Sequence, residues 1–251
     1  MHLITLHNKI ISDALRIHEV VEKVFPRKMP ERYVEQSLYL APFLARLNAV
    51  TVPLKVLNVL IDDATIVSHD VLLSAIWYPK SPTTITRRSS DIHLQWHVHP
   101  REHRCHITPT IWRRQRFYFW TFLQHELAHR HQSADRDEDT ASLQFAPVTD
   151  NAVMRKQQVY LGDFDEVEAW AHDIALEMVI WFPTLNYREA YTEMRNFHRA
   201  RITATYPIYA GVFSETPTHP AMQALRKKIR AWYRIMDQHR DTYKTLGLEP
   251  L

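Results

Sequence analysis

The chain has 251 residues, 45% of them hydrophobic and 24% charged, with a net charge of +3. This ordinary globular mixture excludes a disordered tail, a collagen-like fibre and a disulfide-built scaffold. A single cysteine, Cys105, cannot close an internal bridge; no apolar run reaches the roughly 20 residues of a membrane helix, and the opening MHLITLHNKIISDAL lacks the features of a signal peptide. A cytoplasmic location is the resulting expectation.

Only 3 residues are glycine, which favours long helices over hairpin-rich sheet. Leu3, Leu6, Ile10, Ile17, Val20, Val21 and Val24 recur near helical spacing, so residues 3–24 read as an amphipathic helix ended by Pro26 and Pro30. Residues 31–47 read as a second helix. Past Pro53 the pattern changes: 54–61, 71–78 and 83–88 read as strands, and 91–99 alternates, with Ile92, Leu94, Trp96 and Val98 on one face. Residues 110–132 return to helix through the stripe Phe119, Phe122, Leu123, Leu127, and the polar stretch 133–156 reads as a loop. A strong helix over 164–181 carries Val167, Trp170, Ala171, Ile174, Met178 and Trp181, and Pro183 stops it. Helices are also expected over 186–205 and 220–246. This order predicts an α+β fold in one domain spanning 1–251. Its parts are a helical segment to residue 50, sheet and helix over 51–132, and a helical part over 160–251.

The chemistry sits at 125–129, His-Glu-Leu-Ala-His. On a helix His125 and His129 are one turn apart and point the same way. Two imidazoles so placed can share one Zn²⁺, with Glu126 beside them as base for a bound water. A catalytic zinc wants a third protein ligand and an open position. The helix beginning GDFDEVEAWAHD is the best source, with Asp165, Glu166, Glu168, His172 and Asp173, and its leading candidates are Glu166 and Glu168. These lie either side of its core stripe, so periodicity does not choose between them. Either could instead complete a capping pair, Asp163 with Glu166 or Asp165 with Glu168.

HELAH followed by a helix containing Glu-x-x-Ala resembles the zincin fold in its gluzincin branch. The likeness is closest to the ImmA/IrrE-type peptidases and to the CAAX-processing and heat-shock membrane peptidases. Those families take the third ligand from a glutamate three residues before a small alanine. Glu166-Val-Glu-Ala169 matches, and Glu168-Ala-Trp-Ala171 matches less well. The resemblance implies a zincin-like fold, with a small N-terminal mixed sheet packed on the HExxH helix and a helical C-terminal part. It further implies a zinc metallopeptidase acting on protein or peptide, with His125, His129 and Glu166 as ligands and Glu126 as base. Thr218-His219-Pro220 is similar to a late segment of the heat-shock-type peptidases, which implies a catalytic, oxyanion-stabilising role for His219. HELAHRHQ with a later acidic-aromatic-Ala helix also resembles uncharacterised phage-encoded HExxH proteins, which would place the chain in a host cytoplasm or a virion. The match departs at Trp170, where the families carry Asn or Asp, and in the lack of a membrane segment.

Other candidates have plainer readings beside them. His97, His99, His103, Cys105 and His106 match no standard zinc-finger spacing. Tyr206, Tyr209 and His198 are further oxyanion candidates, each as readily a core or surface residue. The clusters Arg87-Arg88, Arg113-Arg114-Arg116 and Arg226-Lys227-Lys228-Arg230 offer a nucleic-acid surface, but the low net charge argues for solvated faces. The rival functional class is a non-hydrolytic zinc-binding structural or interaction protein on the same fold.

Overall fold

The computed structural model describes residues 2–31, 64–67, 71–76, 93–98, 108–134, 143–195, 205–213 and 219–249. Eight described elements are helices: α1 Leu3–Val24, α2 Pro109–Ala134, α3 Ala152–Leu161, α4 Phe164–Trp181, α5 Tyr187–Arg195, α6 Thr205–Phe213, α7 Pro220–Gln238 and α8 Arg240–Thr245. Three short strands, β1 Ala64–Val67, β2 Val71–Ile76 and β3 His93–Val98, pair antiparallel in that order, with Ala64 opposite Ala75 and Val71 opposite Val98. The expected α+β fold, a mixed N-terminal sheet packed on the HExxH helix, is therefore corrected. The core of the described chain is built helix on helix, and the helices far outweigh these strands, none of which runs parallel to its neighbour. The strand expectations at 54–61 and 83–88, and the helix at 32–47, lie outside the described residues.

The chain divides into two units. One holds Met1–Asn8 and His131–Pro250; the other holds Lys9–Arg130 and Leu251.

In the unit of Lys9–Arg130, α1 packs on the first half of α2. Ile10, Ile17 and Val21 of the predicted stripe are buried, and Ala14 with them. The junction is polar as well as apolar. Trp112 Nε1–H donates to the Pro26 carbonyl (2.8 Å), and Arg116 Nε–H donates to the Phe25 carbonyl (3.1 Å). The Arg116 guanidinium also pairs with Glu22. A buried guanidinium needs such partners, because an unpaired charge there costs several kcal/mol. Phe25 sits against Trp112 at 4.6 Å between ring centres, and His18 stacks on Trp120 at 6.1 Å.

The larger unit is organised around α4. From Val167 to Trp181 every residue except Glu168 is buried, so this helix is covered on all faces. Its most extensive partner is α7, whose buried face runs Met222, Leu225, Ile229, Trp232, Tyr233 and Met236. Asp163 caps α4, accepting from the Asp165 N–H at 2.8 Å. Gly162 lies between α3 and α4, where a Cβ would fall 2.5 Å from the Gln158 carbonyl, so only glycine fits the approach. There the segment 143–145 runs antiparallel, with Phe145 N–H donating to the Gly162 carbonyl and Phe164 N–H to the Leu143 carbonyl, both at 2.9 Å. Helix α3 itself lies partly in the expected 133–156 loop. The missed signal is Asn151, whose side chain accepts from Val153 N–H and Met154 N–H, both at 3.1 Å. The terminal helix breaks at His239 rather than running through to 246. Among the described residues no helix is long and apolar enough to cross a membrane.

The burial of α4 sets a measurable contrast. Ile174→Ala, at a fully buried position, should lower unfolding free energy in urea by about 2–5 kcal/mol. Val153→Ala, at a position 71% exposed, should change it by less than about 0.5 kcal/mol.

Candidate metal centre

The motif falls on the continuous helix α2, in its last three turns. His125, Glu126, Leu127 and Ala128 are buried, and His129 is half-buried. One helical turn brings the two imidazoles edge to face at 4.7 Å between ring centres, with Nε2 of His125 3.0 Å from Nε2 of His129. Two nitrogens that approach so closely either share one proton or face a common cation. In a tetrahedral zinc site with bonds of about 2.0–2.1 Å, two ligand nitrogens stand roughly 3.3 Å apart. The observed pair fits that spacing with a small opening of the rings.

The two carboxylates of α4 are described within their own unit, and they are engaged differently. Both oxygens of Glu168 face away into α7: Lys228 pairs with one, and Trp232 Nε1–H donates to the other at 2.8 Å. Glu166 is buried and accepts from Trp170 Nε1–H at 3.0 Å. Trp170 therefore orients the carboxylate from one turn further on. The Glu166–Trp170 spacing of four was the sequence signal for it. Glu166 is also not spent on a capping box. It stands three residues after the cap Asp163, but the Asp163 N–H it would serve already donates to the Tyr160 carbonyl at 3.1 Å. At the end of α2, Gln132 Nε2–H reaches the Asp165 carbonyl at 3.4 Å.

Beside this first turn of α4 lies a cleft of about 400 Å³. Its walls include Leu3, Leu6, Phe145, Phe164 and Val167, with Lys228 at one side.

The C-terminal candidates occupy structural positions. His219 is the N-cap of α7: its Nδ1 accepts from Ala221 N–H (3.1 Å), and its Nε2–H donates to the Ala146 carbonyl (3.1 Å). Both ring nitrogens are thereby used, in a residue that is buried. Tyr209 is fully buried, and its hydroxyl donates to the Leu161 carbonyl. Burial, then the nearby Glu166 and Asp163 carboxylates, push that hydroxyl well above its usual range, so it stays neutral. Tyr206 is buried with its hydroxyl 3.5 Å from that of Tyr191. His198, His99, His103, Cys105 and His106, and the side chain of His97, lie outside the described residues. Of the basic cluster on α7, Lys228 serves Glu168, and Arg230 lies over the Tyr187 ring at 5.8 Å.

The cap makes His219→Ala a stability variant: urea unfolding should report a loss of about 1–2 kcal/mol. A stability equal to wild type would show that the capping bonds contribute nothing.

No protein-family model matches the chain, and no curated protein or solved structure matches it either.

Proposed function

We propose that the chain is a zinc-dependent metallohydrolase acting on protein or peptide. In this reading His125, His129 and Glu166 hold Zn²⁺, and Glu126 serves as general base. The observation that carries it is the convergence of the two Nε2 atoms in a buried helix segment. The carboxylate is taken from Glu166, which accepts from Trp170 within α4, while Lys228 and Trp232 engage Glu168. The donor set, two imidazoles and a carboxylate, suits zinc and leaves a fourth position open. Glu168 is outside this set because Lys228 and Trp232 occupy its oxygens.

Bound zinc supplies Lewis acidity, lowering the pKa of a coordinated water to about 7. The protein's own contribution is positional. The α2 turn fixes the two imidazoles, and Trp170 holds one oxygen of Glu166. In this reading Glu126, adjacent to His125 on the same buried turn, takes a proton from water and returns it to a leaving amine. The cleft beside α4 mixes apolar walls with Gln132, Asp165, Glu168 and Lys228, a lining suited to a peptide segment. His219 takes no chemical part in this reading, since both its nitrogens serve the α7 cap.

Metal analysis should find one zinc per wild-type chain, with loss of that zinc in His125→Ala and in His129→Ala. Glu166→Gln should weaken zinc binding, whereas Glu168→Gln should retain it. Glu126→Gln should keep the metal and lose at least about 100-fold in hydrolysis of an unfolded protein substrate. Full zinc in both histidine variants overturns the metal set. Zinc bound as expected, with cleavage that does not depend on Glu126 or is absent in the wild type, leaves a non-hydrolytic zinc protein.

A further inference from the structure

A second group of imidazoles is buried within the unit of Met1–Asn8 and His131–Pro250, apart from the residues used above. His7, in the second turn of α1, is 1% exposed, and His172, in α4, is fully buried. His7 Nε2 and the Tyr243 hydroxyl of α8 are hydrogen-bonded at 3.0 Å. The His7 ring lies 4.9 Å from that of His239, at the α7–α8 junction, and 6.2 Å from that of Trp232 in α7. Trp232 meets His172 edge to face at 4.9 Å, and His172 Nδ1 is 3.2 Å from Asp173 Oδ1. His172 Nε2 has no hydrogen-bond partner among the described residues. Among the described residues these imidazoles belong to no group of three converging metal ligands.

We propose that His7, His172, His239 and Tyr243 form an acid-released clasp, which holds the first turns of α1 against α4, α7 and α8 at neutral pH and lets go in mild acid. A buried imidazole is tolerated when neutral and costly when charged, unless a carboxylate faces it. None of the groups acting on His7 is a carboxylate. Its hydrogen-bond partner, Tyr243 of α8, is held neutral by burial. The charges that act on it are His172 from α4 and His239 from the α7–α8 junction, both of the wrong sign once protonated. The one carboxylate in the cluster, Asp173, faces His172 instead. Burial first, then His172 and His239, lower the His7 pKa from 6.5 to about 4, with only the Asn8 side chain pulling the other way.

The sign follows from linkage. Well above pH 6.5 His7 is neutral whether clasped or released, and the clasp has its full strength. Between 6.5 and 4 only the released form takes up a proton, so the clasp weakens as pH falls, levelling off below about 4. Between pH 7 and pH 5 this amounts to roughly a twentyfold loss in the clasped-to-released ratio.

Amide hydrogen exchange of the full chain, corrected for the intrinsic pH dependence of exchange, tests this at residues 4–8. Protection there should fall roughly twentyfold from pH 7 to pH 5 in the wild type, and far less in His7→Phe, which keeps a ring but cannot titrate. Should His7→Phe fail to fold, the NMR titration of the wild-type His7 ring decides. A midpoint near 4 supports the clasp, and one at 6 or above overturns it. Protection that is unchanged by acid, or that falls equally in both proteins, also overturns it.

Discussion

Two imidazole nitrogens 3.0 Å apart, on a single turn of a continuous helix, are the constraint from which the functional account is built. The approach requires that α2 remain helical through His129, since only the four-residue spacing puts both rings over the same point. The upstream part of α2 is fixed from outside itself. Trp112 and Arg116 bond the carbonyls at the end of α1, and Arg116 meets Glu22. The motif is thus carried on a helix held by specific polar contacts, as a site needs when small displacements matter.

Helix α4 shows a related use of burial. It encloses His172, Asp173 and Glu177 among apolar side chains, a polar load that packing alone would not favour. Two glutamates near its start, Glu166 and Glu168, are divided between tasks. Glu168 ties α4 to α7 through Lys228 and Trp232, while Glu166 is turned toward Trp170. This division makes one carboxylate a structural strut and leaves the other the candidate ligand.

How much of this was legible in the sequence follows from the range of the interactions. The boundaries of α1 and α4 were readable because a repeating apolar stripe and flanking prolines are local signals. The fold class was not, because short apolar runs do not say what will cover them, and the core proved to be helix on helix. HELAH was legible as a spacing. The different engagement of Glu166 and Glu168 was not, because Glu168 is bonded by Lys228 and Trp232, some sixty residues away in the chain. The capping position of His219 was likewise not legible: Thr-His-Pro opens α7, and the ring bonds Ala221 and Ala146. The same distance hid His7, which becomes notable only once Tyr243 and His239 stand against it.

The central claim is that these imidazoles face a cation rather than a shared proton. Zinc K-edge X-ray absorption on the wild-type chain, loaded with one equivalent of zinc and dialysed, addresses it directly. The account predicts retained zinc in a four-coordinate shell at about 2.0–2.2 Å, with the scattering of two imidazoles and one carboxylate. Zinc removed by dialysis, or a hydrated ion without imidazole scattering, would contradict it.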